Sequence, residues 1–298
     1  MNKMNRRRFI QAGLTGFAGF SVIGSKAMNL NFTISGALSV DKVKLGNSGL
    51  TVSRIAMGTG TVGFNKSSNQ TRLGTEKFTA LAHHAYECGI NFFDTADGYG
   101  SHPYVGKAIK SLPREKLILL SKMWTYEEGS NQIEPVEKAL DRYRLETGSD
   151  YLDILLMHCM QRGNWSQTRK YYMDAFSKAK QNGIVKAVGV SCHHIDALAE
   201  AADSPWVDVI MARINPFGTA MDDTPEKVKT ILDRAKKNGK GIIGMKIFGE
   251  GKHVTDNERQ QSIRFALTEG NIHCMTLGLE SVAQMDDAIE RVMKIVIR

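Results

Sequence analysis

No two of the four cysteines stand close together. Cys88, Cys159, Cys192 and Cys274 are far apart and form no C-x-x-C pair. The spacing excludes a zinc or iron–sulfur ligand set readable from sequence, and no disulfide framework can be traced. Each thiol reads as a buried core residue by default. No Lys/Arg-rich run with interleaved aromatics appears beyond the amino terminus, although the formal charge is +8. The excess sits mostly in residues 1–27, where Lys3, Arg6, Arg7, Arg8 and Lys26 stand without an acid. Taking those five from the 39 basic residues leaves 34 against 31 acidic ones. Nucleic acid therefore drops out as a partner. A long apolar run is missing too: Gln11–Gly24 is too short and too glycine-rich to be a stable anchor across about 30 Å of hydrocarbon.

What is present begins with that leader. Asn5-Arg6-Arg7-Arg8-Phe9-Ile10 precedes the mildly apolar run, and Ser25-Lys26-Ala27 is a small-x-small cleavage site. Residues 1–27 thus resemble a bacterial twin-arginine export signal, which implies the export machinery as a partner and a periplasmic or otherwise exported protein. Residues 28–40 have no period and read as a linker. The rest, 41–298, carries enough of the chain's 42% apolar content to bury one large core.

Lys42–Leu45 and Leu50–Ser53, around Gly46-Asn47-Ser48-Gly49, predict a β-hairpin with a four-residue turn. After it, short apolar runs alternate with helical stretches. Strands are expected to start near Arg54, Ile90, Leu117, Leu152, Lys186, Asp208, Gly241 and His273. Eight amphipathic segments lie between and after them. Thr75–Cys88 puts Phe78, Leu81, Ala82 and Ala85 on one face. Thr224-Pro225-Glu226 caps another, which stops at Asn238-Gly239, and Ser281 with Gln284 opens the last. Eight βα units over about 250 residues predict an α/β fold: a closed (β/α)8 TIM barrel with an N-terminal β-hairpin.

Gly58-Thr59-Gly60-Thr61-Val62-Gly63 fits G-x-G-x-x-G after a strand, but no helix opens at once. A dinucleotide turn needs that helix to present its amides to a pyrophosphate. In a barrel, residues at the carboxyl ends of strands converge on one face. Asn91-Phe92-Phe93 ends at Asp94, and Tyr99 follows the turn at Gly98. Leu117–Ser121 ends at Lys122, and Tyr151–Met157 ends at His158. Singly, Asp94 reads equally as a turn cap, Tyr99 as a loop aromatic, Lys122 as a snorkelling surface group and His158 as a rim histidine. Together they form a constellation suited to proton transfer.

The stretch GINFFDTADGYG closely resembles the second strand and following loop of the aldo-keto reductases, whose motif runs roughly GxxxFDTAxxYG. LGNSGLTVSRIAMGTG, YLDILLMH and GIVKAVGVS extend the resemblance over about 43–290. It implies a catalytic tetrad of Asp94, Tyr99, Lys122 and His158 and a nicotinamide cofactor, NAD(P)(H). A nicotinamide supplies the hydride to a carbonyl carbon, which no side chain can. Tyr99 would give the proton to oxygen, its phenol pulled down from about pH 10 by the Lys122 ammonium. Asp94 would hold Lys122, and a neutral His158 would orient the carbonyl.

The resemblance also places cofactor contacts. Gly58, Thr59 and Gly60 match the end of the first strand, where a glycine lets the backbone approach the cofactor; Asp94 is shared with the tetrad. A Ser-Asn pair that grips the carboxamide is Ser191-Cys192 here, and a Gln is Met211. A Tyr-Ser that stacks on the ring and touches phosphate is Met245-Lys246, with Phe248 and Gly249 just after it. In the motif GxRxxxQ, Gly278 and Gln284 match, and Glu280 replaces the basic residue that binds the 2′-phosphate of NADP. That exchange leans weakly toward NAD, although an acid at the start of a helix needs no cofactor to explain it. The family's long carboxyl-terminal substrate loop has no counterpart before Arg298, so an open pocket is expected. Three functions follow. The leading one interconverts a small carbonyl compound and its alcohol. The second is a non-catalytic ligand-binding barrel that retains the tetrad. The third is a metal-dependent hydrolase using His158, Cys159, Cys192, His193 and His194.

Overall fold

The computed structural model describes residues 38–127 and 134–296. The leader and most of the linker lie outside them, and so does the twin-arginine reading. Two antiparallel strands, β1 (Lys42–Lys44) and β2 (Thr51–Ser53), come first. Eight parallel strands follow: β3 (Ile55–Gly58), β4 (Phe92–Asp94), β5 (Ile118–Trp124), β6 (Leu152–Met160), β7 (Val185–Cys192), β8 (Val209–Arg213), β9 (Gly241–Met245) and β10 (Cys274–Leu277). They close into a barrel in chain order, β10 pairing with β3.

Strand alternation builds two cores. Ala56, Phe92, Leu120, Leu156, Met211 and Ile243 fill the barrel interior, while neighbours such as Ile55, Met57 and Phe93 face the helices. The period of two forces this split, since successive side chains leave opposite faces of a strand. Helix Gly74–Glu87 buries Phe78, Leu81, Ala82 and Ala85, the face its 3.6-residue period predicts. It stops at Cys88, with Gly89 taking φ +83°. Helix Pro225–Lys237 is capped by the Thr224 hydroxyl, which accepts from the Lys227 amide. Helix Val282–Val296 closes the ring. The Ser281 hydroxyl accepts from the Gln284 amide, but Gln284 reaches back to the Glu280 amide, one residue earlier than a capping box.

The hairpin plugs the amino-terminal end of the barrel. Leu45, Leu50 and Val52 belong to the interior core, and the Leu45 amide donates to the Leu50 carbonyl at 2.9 Å. The body also reaches back into the expected linker: Val40 is buried and its amide donates to the Cys88 carbonyl. The opposite, carboxyl-terminal end of the strands is left for function.

Candidate active site

Asp94, the last residue of β4, and Lys122, the fifth of β5, are both buried. The Lys122 ammonium donates to Asp94 Oδ1, and to the Thr95 carbonyl at 2.7 Å. Thr276 on β10 donates to Asp94 Oδ2 at 2.7 Å, so both carboxylate oxygens are engaged. Lys122 Nζ stands 4.8 Å from the centre of the Tyr99 ring, and that ring meets His158 edge-on at 5.7 Å. Trp124 also meets His158, edge-on at 5.5 Å. The four expected residues are therefore brought together. Two strands run past their expected ends, however: β5 continues to Trp124 and β6 to Met160.

The phenol is held by its loops. Tyr99 closes a short 3₁₀ turn, Asp97–Tyr99, followed by Gly100 at φ +64°. A Cβ on Gly100 would lie 2.1 Å from the Lys66 carbonyl oxygen, so only glycine fits there. A Cβ on Gly60 would lie 2.2 Å from the Tyr99 ring. Gly60 thus makes room for the phenol. Asp97 is clamped by Lys66 and by both terminal nitrogens of Arg142, at 2.6 and 3.2 Å. Those partners outweigh burial and hold the Asp97 carboxyl below its usual range. Ser121, His102 and Glu146 also form a relay, 2.8 Å from Ser121 Oγ to Nε2 and 2.9 Å from Nδ1 to Glu146. Ser121 is fully buried, so this relay has no access to substrate and instead braces β5 beside Lys122.

A bulge turns His158. The β6–β7 register shifts between Met157 and Met160, and Cys159 takes φ +66°. The Cys159 amide donates to Ser191 Oγ at 2.8 Å, which fixes the distortion. Burial, and then Lys122, hold His158 well below the usual imidazole range, so it is neutral at pH 7. Burial works against the Lys122 ammonium, but Asp94 and Tyr99 outweigh it and raise its pKa. Burial also pushes the Tyr99 phenol up, and the pull of Lys122 does not cancel it. The expected lowering of the phenol is therefore a partial offset.

The cofactor positions divide. Ser191 lies inward on β7, and Lys246 stands at φ +58° just after β9. Cys192, one residue on from Ser191, faces the helices and is fully buried in the outer core. Met211, in register with Ser191, and Met245, level with Arg213 at the end of its strand, both belong to the interior cluster of the barrel. Phe248 leans on the outer core, and a Cβ on Gly249 would strike His253 at 2.6 Å. Thr59 locks Asp94, donating its hydroxyl and its amide to the Asp94 carbonyl. Gly58 and Gly278 lie close under Thr276 and Thr61. Glu280 accepts from Asn69 at 2.6 Å and donates its own amide to Gln284.

Two residues, Thr276 and Trp124, escape sequence reasoning. Thr276 touches Asp94 only through barrel closure. Trp124 needs β5 to run beyond Lys122. Arg213 ends β8, where Asp222 and the His193 carbonyl hold it. Burial, then the neighbouring Arg213, Lys246 and Lys122, lower His193 to about 4. That donor set fits a dinucleotide, with rim cations for a diphosphate and a serine hydroxyl for an amide. The metal-hydrolase set is not assembled: Cys192 faces the helices, and His194 is exposed and caps helix Ile195–Asp203 through the Asp196 amide.

The chain is similar to known proteins. L-galactose dehydrogenase of Arabidopsis thaliana is 25% identical over 288 residues, covering 84% of this chain and 88% of that one. NADH-specific methylglyoxal reductase of Escherichia coli is 26% identical over 206 residues, 61% of either chain. An aldo-keto reductase of Bacillus halodurans, solved in its holo form, shares the fold with a TM-score of 0.64 and 19% identity, over 85% of this chain and 91% of that one. Residues 54–296 match the Aldo/keto reductase family along their whole length. With that match over most of the chain and named oxidoreductases among its relatives, this protein is an oxidoreductase belonging to the aldo/keto reductase family.

Proposed function

We propose that this chain interconverts a small aldehyde or ketone and its alcohol with NAD(P)(H), and that it does so after twin-arginine export. The observation that carries the chemistry is the Lys122 ammonium, fixed by Asp94 and the Thr95 carbonyl beside the Tyr99 ring. A nicotinamide supplies the hydride when bound at the rim. Tyr99 keeps its proton through neutral pH, because burial raises the phenol, and gives it to the carbonyl oxygen. Lys122 then stabilises the phenolate left behind. Neutral His158 donates an N–H to the same oxygen and orients it. Ser191 and the rim cations Arg213 and Lys246 hold the cofactor. The apolar side chain of Met211 and the outward-facing Cys192 favour a second reading, a ligand-binding barrel with weak nicotinamide recognition. Stopped-flow titration with NADH and NADPH separates the two: saturable binding is expected, and its absence would leave only the second reading.

NAD(H) is the preferred cofactor in this proposal. Glu280 would repel a 2′-phosphate yet accept from a ribose hydroxyl, and Asn69 orients its carboxylate. A relative named as NADH-specific points the same way. Glu280→Arg should reverse the preference in a fluorescence titration at low salt. If wild type binds NADPH tighter and the variant changes neither affinity, Glu280 has no part in the choice.

A further inference from the structure

Away from the barrel mouth, three ligating side chains of different kinds meet where the ring of helices closes. His84 and Cys88 are one turn apart on and just after helix Gly74–Glu87, so their side chains share a face. Asp286 comes from helix Val282–Val296. His84 Nε2 lies 2.6 Å from Asp286 Oδ1 and 3.6 Å from Cys88 Sγ, and the three ligating atoms lie within 4.8 Å of one another. A tetrahedral zinc with a thiolate at about 2.3 Å and an imidazole at about 2.0 Å holds those two atoms roughly 3.5 Å apart. The sulfur–nitrogen pair already stands at that spacing. The carboxylate must open by less than about 1 Å to reach ligand geometry; Asp286 is a third exposed and free to turn. His84 is a quarter exposed, which gives an ion a way in.

We propose that His84, Cys88 and Asp286 bind one divalent transition-metal ion, zinc by ligand type, with water completing the shell, and so tie the first long helix of the ring to the last. Thiolate, imidazole and carboxylate together suit zinc or cobalt and not magnesium or calcium, which take oxygen ligands. The second cluster with ligand chemistry, Asp97, His102 and Glu146, offers no such vacancy. Its histidine is buried with both nitrogens bonded, and its Asp97 is held by Lys66 and Arg142.

The test is a cobalt titration of the full chain purified without a histidine tag. One equivalent should bind with a near-ultraviolet thiolate-to-cobalt charge-transfer band, zinc should abolish the band, and zinc should raise the unfolding temperature reversibly with a chelator. Cys88→Ala should lose the band and Asp286→Asn should bind much more weakly, with circular dichroism checking that each folds. Absence of the band in wild type overturns the site. An undiminished band in Cys88→Ala places the ion on another thiol and overturns it equally. If either variant fails to fold, His84→Gln serves in its place with the same two outcomes.

Discussion

Tyr99 illustrates how far single residues decide the chemistry. Its phenol lies between burial, which raises the pKa, and Lys122, which lowers it, and burial prevails. Removing Lys122 alone would leave Asp94 buried without its ammonium, at a cost of about 3–5 kcal/mol. The informative variant is therefore Lys122→Met with Asp94→Asn. Lys122 pulls on the phenol more strongly than Asp94 opposes it, so the alkaline limb of carbonyl reduction should move to higher pH. A pH–rate profile that keeps its limb in place would remove Lys122 from any tuning role. The convergence of Asp94, Lys122 and His158 was legible because each stands at or near the end of an apolar run, and that of Tyr99 because a tight turn follows the first of them. The carboxamide contacts were not. Whether Met211 or Arg213 reaches the mouth depends on strand length and register, and a Cys after Ser191 carries no sign that alternation turns it toward the helices.

Among the elements, the hairpin shows what pattern reasoning does well. Leu45 and Leu50 flank the Gly46–Gly49 turn, and their positions predicted the pairing that seals the barrel base. Leu45 is fully buried, so Leu45→Ala should destabilise the fold by about 2–5 kcal/mol, measured by urea unfolding. A loss well below 1 kcal/mol would mean that the plug contributes little to the core. The periods of two and 3.6 likewise revealed all eight strands and the helices between them. The bulge in β6 was beyond reach. An apolar run shows where a strand lies but not where an extra residue enters its ladder, and Cys159 gives no glycine to mark the positive φ. The Ser121–His102–Glu146 brace was equally hidden, because its members come from three separate segments.

For the whole molecule, the acid side of the stability curve follows from the mouth. His158 and His193 are both held below the usual imidazole value, His193 to about 4. A depressed folded value means that the unfolded chain binds the proton first, so stability present above about pH 6.5 is lost as the pH falls toward 4. The unfolding temperature should drop across that window, and His193→Gln should flatten part of the slope. A curve that stays level between pH 7 and pH 4 would contradict the neutral histidines of the mouth. The central claim is that Tyr99, set against Lys122 and His158, gives the proton in a nicotinamide-dependent carbonyl reduction. It is tested most directly by single-turnover oxidation of bound NADH with a panel of short aldehydes, in wild type and Tyr99→Phe. The account predicts equal cofactor binding and a hydride-transfer rate lower by about 10²–10⁴-fold in the variant. An unchanged rate in Tyr99→Phe, with a substrate that wild type turns over, would contradict it.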